Sequence, residues 1–200
     1  DLANLLVKDV RRPMQDGFLS PEEKDAIPMM RFMLERLLGK PQVEGEPAWF
    51  CLPAPSIDQE NDTVYHEGIV EGLVRKLGFT PHAMNEAHAV VYSELADDEF
   101  TGITISCGGG MFNVCVAYRT IPAVTFSVSR GGDWIDQHVA KVMGIPISRA
   151  TAIKEGADLV NPASREEEAV ALYYRNLIGY VLANLQQRFD LARDVPQFTS

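Results

Sequence analysis

Three consecutive glycines lie between two stretches of alternating apolar residues, in the sequence ISCGGGMFNVCVAYR at residues 105–119. Alternation on both sides predicts two strands joined by a turn, although a tight hairpin turn needs only one or two glycines. Glycines leave backbone N–H groups without side-chain cover, so that a phosphate can approach them closely. The run predicts either a phosphate-binding turn or a glycine-rich hairpin, and the glycines alone do not decide between them.

The rest of the chain alternates strand patterns with helix patterns and then runs through adjacent strands, which predicts a mixed-sheet α/β fold. Trp49 and Trp134 each stand alone among apolar residues, so we expect both in the core. A helix is expected to follow Ser20-Pro21 and to end at Gly39, and the sequence SREE at residues 164–167 predicts a capping box before a long final helix. The other expected helices cover about 59–77, 85–96, 131–144 and 148–155, and the expected strands cover 48–55, 80–84, 101–106, 112–119 and 123–129.

Composition excludes several classes of function. The formal net charge of −10 makes nucleic acid a poor partner, and no apolar run is long enough to span a membrane. Three cysteines without CxxC spacing predict reduced thiols in a cytoplasmic protein. The four histidines are widely spaced, which argues against zinc, and the chain lacks a G-x-S-x-G elbow, which argues against a serine hydrolase.

Six segments, taken in order, resemble the superfamily of actin, MreB and the seventy-kilodalton heat-shock chaperones. The segment SCGGGMFN at 106–113 is similar to the second phosphate loop of that superfamily, D-x-G-G-G-T-x-D. The other five are RRPMQDGFL at 11–19, FCLPAPS at 50–56, NEAHAVVYSEL at 85–95, SVSRGGDWIDQHV at 127–139 and AIKEG at 152–156. An ordered set of matches is far more specific than any one motif. The resemblance covers residues 7–156 and implies a two-lobed, actin-like ATPase (ribonuclease H-like) fold.

The resemblance implies ATP with Mg²⁺ as the cofactor and assigns roles to individual residues. Glu86 occupies the position that orients the attacking water, although a helix N-terminus also favours an acid there. Lys154 and Glu155 correspond to residues that touch ribose or adenine, and a solvated helix face is the alternative. Asp133 is expected first as a helix cap and second as a cleft residue. The full set of expected cofactor-binding residues is Ser106, Gly108, Gly109, Gly110, Met111, Gly131, Gly132, Asp133, Lys154 and Glu155.

Three departures from the superfamily pattern predict weak or lost hydrolysis. Ser106 replaces the loop aspartate near Mg²⁺, so metal binding becomes indirect and weaker. Met111 replaces the threonine that hydrogen-bonds phosphate or water, and Asn113 replaces the next acid. We expect no metal ligand supplied by the chain itself.

The resemblance also implies an organisation and a set of roles. Residues 1–95 are expected to belong to the first lobe, and residues 96–200 to the second lobe with a short helical subdomain. The first phosphate loop and the Gly-Gly adenosine motif are expected before and after this sequence, so the fold is expected to be incomplete at both ends. The expected function is that of a filament subunit or assembly factor with self-association or a protein partner. The alternatives are a non-catalytic scaffold and a small-molecule kinase, which needs a general-base aspartate that the sequence does not reveal.

Overall fold

The computed structural model describes residues 11–20, 22–60 and 63–191, and these residues form seven strands and six helices. Helices and strands occur where the hydrophobic periodicity places them, with ends shifted by a few residues. The strands are β1 (Met14–Gln15), β2 (Phe18–Leu19), β3 (Pro47–Leu52), β4 (Thr80–Asn85), β5 (Gly102–Cys107), β6 (Phe112–Tyr118) and β7 (Ile121–Val128). The helices are α1 (Ala26–Leu38), α2 (Thr63–Lys76), α3 (Glu86–Glu94), α4 (Gly132–Met143), α5 (Ile147–Gly156) and α6 (Arg165–Leu191).

The described residues divide into two compact units. The first contains the described residues up to Leu52 together with 63–84, and the second contains Pro53–Glu60 and the described residues from Asn85 onward. The lobe boundary expected between residues 95 and 96 therefore falls inside the second unit, after helix α3. The expected phosphate-loop segment at 106–113 lies entirely in the second unit.

The first unit contains a short hairpin, two helices and a two-stranded sheet of β3 and β4. Asp16 and Gly17 form the turn of the β1–β2 hairpin with φ of 50° and 83°, a pair of positive values that suits a tight hairpin. The prediction that Trp49 lies in the core is wrong, because its side chain is 64% exposed, and Val64 of α2 is 78% exposed as well. Trp49 instead stacks its ring on His82, at 4.9 Å between centroids.

The second unit is built on an antiparallel sheet in the order β5-β6-β7. Alternate residues of the central strand β6 enter two separate clusters, as the two-residue period of a strand requires. Phe112, Val114 and Val116 pack with buried residues of α4 and α6, whereas Cys115 and Ala117 pack with Ala87 and Val91 of α3. Burial raises the pKa of the Cys115 thiol to about 11, as expected for a cysteine that serves as core.

The final helix α6 begins with the predicted capping box. Ser164 Oγ accepts a hydrogen bond from the Glu167 N–H at 3.2 Å, and a carboxylate oxygen of Glu167 accepts one from the Ala163 N–H at 2.8 Å. The first bond satisfies a backbone donor that a helix start leaves unpaired, whereas the second joins Glu167 to the residue before the cap rather than to Ser164 itself. None of the helices in the described ranges has the length and apolar character needed to cross a bilayer.

Candidate functional site: the glycine loop and the Glu86 network

The glycine run forms the connection between β5 and β6. Cys107 pairs with Phe112, so residues 108–111 make a four-residue loop, which is closed by a 2.8 Å hydrogen bond from the Gly108 N–H to the Met111 carbonyl oxygen. The φ angles of Gly108, Gly109 and Gly110 are not positive. A left-handed backbone conformation therefore does not explain the three glycines. The explanation lies in the helix that packs against the loop.

The N-terminus of helix α4 packs directly on this loop. The Gly132 N–H donates to the Gly108 carbonyl oxygen at 3.0 Å, and the Asp133 N–H donates to the Gly109 carbonyl oxygen at 2.8 Å. A Cβ atom built on Gly131 would lie 2.5 Å from the Gly108 carbonyl oxygen, a distance that real Cβ atoms do not show. Glycine at 131 is required for this close approach of two backbones.

The helix contact fixes the direction in which the loop amides point. A trans peptide is planar, and its C=O and N–H point in opposite directions. Because the Gly108 and Gly109 carbonyls face α4, the N–H groups of Gly109 and Gly110 point away from it. Within the described ranges neither amide donates to an acceptor, and Gly109 is exposed while Gly110 is partly exposed. The loop thus presents two adjacent free donors on one side.

Several residues expected to touch the cofactor instead hold the loop together. The amides of Gly132 and Asp133 are used by the loop carbonyls, and the Met111 side chain is 3% exposed. The Asp133 carboxylate lies against the loop, with Oδ1 at 3.6 Å from a Cβ atom built on Gly109. These positions give Gly131, Gly132, Asp133 and Met111 packing roles, and their contact with a cofactor stays a prediction.

Glu86, at the start of α3, is held by the two side chains that replace acids of the superfamily pattern. Ser106 Oγ donates to Oε1 of Glu86, and Asn113 Nδ2 donates to Oε2 at 3.1 Å. Asn113 is 1% exposed, and its Oδ1 accepts a 3.0 Å hydrogen bond from the Ala54 N–H. We call Ser106, Glu86 and Asn113 the Glu86 network. It joins the N-terminus of α3, both strands of the glycine hairpin and the segment Pro53–Glu60.

The sequence pattern does not reveal the importance of Asn113, which it presents only as the replacement of an acid. One signal was available: it is the one strongly polar residue in the otherwise apolar run FNVCVAY, and a buried amide must find partners. The partners themselves lie 27 and 59 residues away along the chain and follow only from the tertiary fold.

Lys154 forms a buried ion pair rather than lying on a solvated helix face, and its contact with ribose or adenine stays a prediction. Its Nζ donates to Asp136 Oδ2 at 2.8 Å and to the Gly132 carbonyl oxygen at 3.0 Å, and the two side chains are 13% and 4% exposed. Thr151 Oγ1 lies 2.9 Å from the same carboxylate oxygen. Oδ1 of Asp136 is buried with no partner within the described part of the chain. Lys154 therefore connects α5 to the helix that supports the loop.

Glu155 is exposed on α5. An open surface groove of about 400 Å³ lies between α5 and the start of α6, lined by Arg149, Ile153, Glu166 and Glu167 among others. Neither Lys154 nor Glu155 lines it. A role for Glu155 in binding ribose or adenine stays a prediction.

The described residues do not fit a directly bound Mg²⁺ ion. Across 11–20, 22–60 and 63–191 no group of three or more His, Cys, Asp or Glu side chains is arranged to hold a metal. At the loop, Ser106 and Asn113 direct protons toward Glu86, whereas Mg²⁺ requires converging oxygen lone pairs.

Comparison with protein families gives one match, which covers nearly the whole sequence. The family model described as Volactin matches residues 1–199. A search of the curated proteins gives no significant match.

Solved structures share the fold at low sequence identity. They include the MamK double helical filament (16% identity, TM-score 0.75, 92% of this chain and 63% of that chain) and MreB5 of Spiroplasma citri bound to ADP (15%, 0.66, 97% and 65%). The ethanolamine utilization protein EutJ from Carboxydothermus hydrogenoformans matches at 22% identity and a TM-score of 0.55, over 89% of this chain and 61% of that one. The chain thus spans less than two thirds of the length of these structures. The expected actin-like α/β fold is confirmed.

Proposed function

Because this chain belongs to the Volactin family and has an actin-like fold, we propose that it is a nucleotide-binding, actin-like protein with weak or absent ATP hydrolysis. In this proposal it serves in the cytoplasm as a subunit or assembly factor of a cytoskeletal filament. The observation that carries the nucleotide-binding part is the pair of outward-pointing amides at Gly109 and Gly110.

Two adjacent amides that point the same way form a small concavity of positive partial charge, which suits a phosphate oxygen. The loop adds no bulk on that side because its residues are glycines. Lys154, whose Nζ lies 2.9 Å from a Cβ atom built on Gly132, is already paired with Asp136 and so offers no free positive charge to a phosphate. A phosphate would therefore be bound mainly by the backbone, with its charge compensated by a cation that the nucleotide brings.

Weak hydrolysis follows from the surroundings of Glu86. A residue that orients an attacking water must accept a hydrogen bond from it, and each Glu86 oxygen already accepts one hydrogen bond, from Ser106 or from Asn113, which makes Glu86 a weaker acceptor for water. The loop also lacks the carboxylate that would hold a metal against the charge of the transferring phosphoryl group. Loss of one such electrostatic group commonly costs about a hundred- to a thousandfold in rate.

The filament part of the proposal rests on the shared fold with MamK, whose structure is described as a double helical filament. The competing function is a non-catalytic scaffold, and the Glu86 network, which disfavours hydrolysis, supports it as well. The two differ in nucleotide dependence: a filament subunit of this kind assembles in a nucleotide-dependent manner, whereas a scaffold assembles equally with and without nucleotide.

Calorimetric titration of the full-length protein with ATP and ADP tests binding, and ¹⁵N spectroscopy of glycine amides locates it. We expect the amide signals of Gly109 and Gly110 to move on titration while that of Gly179, exposed on α6, stays fixed. Sedimentation with and without nucleotide then separates filament subunit from scaffold. Absence of heat and of any shift at Gly109 and Gly110 would contradict the nucleotide-binding proposal.

A further inference from the structure

The Glu86 network has a defined direction for each hydrogen bond. The Ala54 N–H can only donate, so the atom of Asn113 that faces it must be the oxygen. The amide nitrogen of Asn113 then faces Glu86, and its proton lies on the line to Oε2. Ser106 supplies a second proton to Oε1. The Glu86 carboxylate therefore accepts one hydrogen bond at each of its oxygens and needs no neighbouring cation.

Acids at positions 106 and 113 would replace both hydrogen-bond donors to Glu86 with acceptors. An aspartate at position 113 could still accept from Ala54, but its second oxygen would lie against Oε2 of Glu86, with Asn113 being nearly fully buried. Two carboxylates in contact cannot both stay ionised unless a cation sits between them, and otherwise one of them takes up a proton. The amide and the hydroxyl make that cation unnecessary.

We propose that Asn113 is a positioning residue for Glu86 and that the Glu86 network holds this part of the unit together in place of a directly bound divalent cation. Asn113 fixes the Glu86 carboxylate from β6 and joins it to the backbone of Ala54, so three segments of the unit are aligned without metal. This inference concerns the chain alone and does not depend on whether a nucleotide binds.

An exchange of the donor and the acceptor tests the proposal in the full-length protein. Asn113→Asp alone removes the donor and sets two carboxylates together, so we expect the melting temperature at neutral pH to fall by about 4–8 °C. Adding Glu86→Gln restores one amide facing one carboxylate with the roles reversed, and we expect most of the lost melting temperature to return. A role in packing alone would not give this rescue, because the shapes of the side chains are the same in both variants.

Two conditions sharpen the test. Millimolar MgCl₂ without nucleotide should leave the melting temperature of the unmodified protein unchanged and should raise that of Asn113→Asp by a few degrees. Lowering the pH should also bring the melting temperatures of the two proteins closer together. Asn85→Asp is the matched control, since Asn85 accepts from the His88 N–H as the cap of α3 and a carboxylate is favourable there.

The possible outcomes decide for or against the proposal. Rescue by the exchanged pair, or recovery of a poorly folded Asn113→Asp variant by Mg²⁺ or by Glu86→Gln, supports it. An Asn113→Asp variant that melts like the unmodified protein would overturn it, as would a variant that neither Mg²⁺ nor Glu86→Gln restores. Stabilisation of the unmodified protein by Mg²⁺ that is lost in Glu86→Gln would overturn it as well.

Discussion

A Cβ atom built on Gly131 would overlap the carbonyl oxygen of Gly109. Gly109 lies in the loop held by the β5–β6 ladder, and Gly131 directly precedes helix α4, so the backbone is fixed at both positions. Neither can move away without breaking the hydrogen bonds from Gly132 and Asp133 to the loop. The contact makes position 131 intolerant of any side chain.

We therefore expect Gly131→Ala to lower the free energy of unfolding by about 1–3 kcal/mol, the usual cost of overpacking. Gly109→Ala is the matched control from the same contact, because its Cβ would meet Asp133 at an ordinary 3.6 Å. Urea denaturation of both variants measures the difference. Equal stability of the two variants would show that the loop and α4 are not packed as described.

Removal of Lys154 should expose the cost of a buried, unpaired carboxylate. Lys154→Met leaves Asp136 without its ammonium partner, and breaking a buried pair in this way costs about 3–5 kcal/mol. Replacing both residues, as in Lys154→Met with Asp136→Leu, should recover most of that loss. A double-mutant cycle from denaturation curves gives the coupling, and a loss below about 1 kcal/mol for Lys154→Met would contradict a buried pair.

The free energy of unfolding should fall as the pH decreases, and His66 should contribute to this fall. This residue is 4% exposed, its Nδ1 accepts from the Leu19 N–H at 3.2 Å, and burial lowers its pKa below the ordinary 6.5. The unfolded chain therefore takes up a proton at a pH where the folded chain does not, and folding free energy is lost as the pH falls below about 6.5.

His66→Gln provides the comparison, because its amide oxygen can accept from Leu19 but does not titrate. We expect the stability of this variant to depend less on pH between about 7 and 5 than that of the unmodified protein. Parallel pH profiles for the two proteins would show that His66 does not contribute.

The cap of α6 should carry a measurable share of stability. Ser164→Ala removes the acceptor for the Glu167 N–H, and loss of such a cap costs about 1 kcal/mol. Ser148→Ala, at an exposed site in α5, serves as the control and should change the free energy of unfolding by less than about 0.5 kcal/mol. Thermal or urea unfolding distinguishes the two, and a loss no larger than that of the control would contradict the capping geometry.

Local features of the fold could be predicted because their causes are local. The Asp16-Gly17 turn, the capping box at Ser164 and the strands around the glycine run each depend on a few neighbouring residues. The start of α1 was less predictable: it lies at Ala26, after Asp25, rather than near Ser20, and Pro21 lies outside the described residues. Several apolar side chains have the spacing of a core face but are exposed in the structure, among them Trp49, Val64 and Leu37. Periodicity shows which face can be buried but not what covers it.

The candidate site could be located from the sequence, but its contacts could not. The motif identified the glycine loop and Glu86, whereas the pairing of Lys154 with Asp136 and of Asn113 with Glu86 depends on how helices and strands align. The motif presents the replacements at 106 and 113 as two separate losses of an acid, of which the first weakens metal binding. Only the tertiary structure shows that both side chains donate to the same carboxylate.

The two hydrogen bonds from helix α4 to the glycine loop also bear on the thermodynamics of association. A flexible glycine loop that becomes ordered only when it binds an anion loses conformational entropy at that moment. Here the loop carbonyls are already tied to Gly132 and Asp133, so folding itself orders the backbone. An anion that reaches Gly109 and Gly110 meets donors in fixed orientation, and complex formation is spared the entropic cost of arranging them.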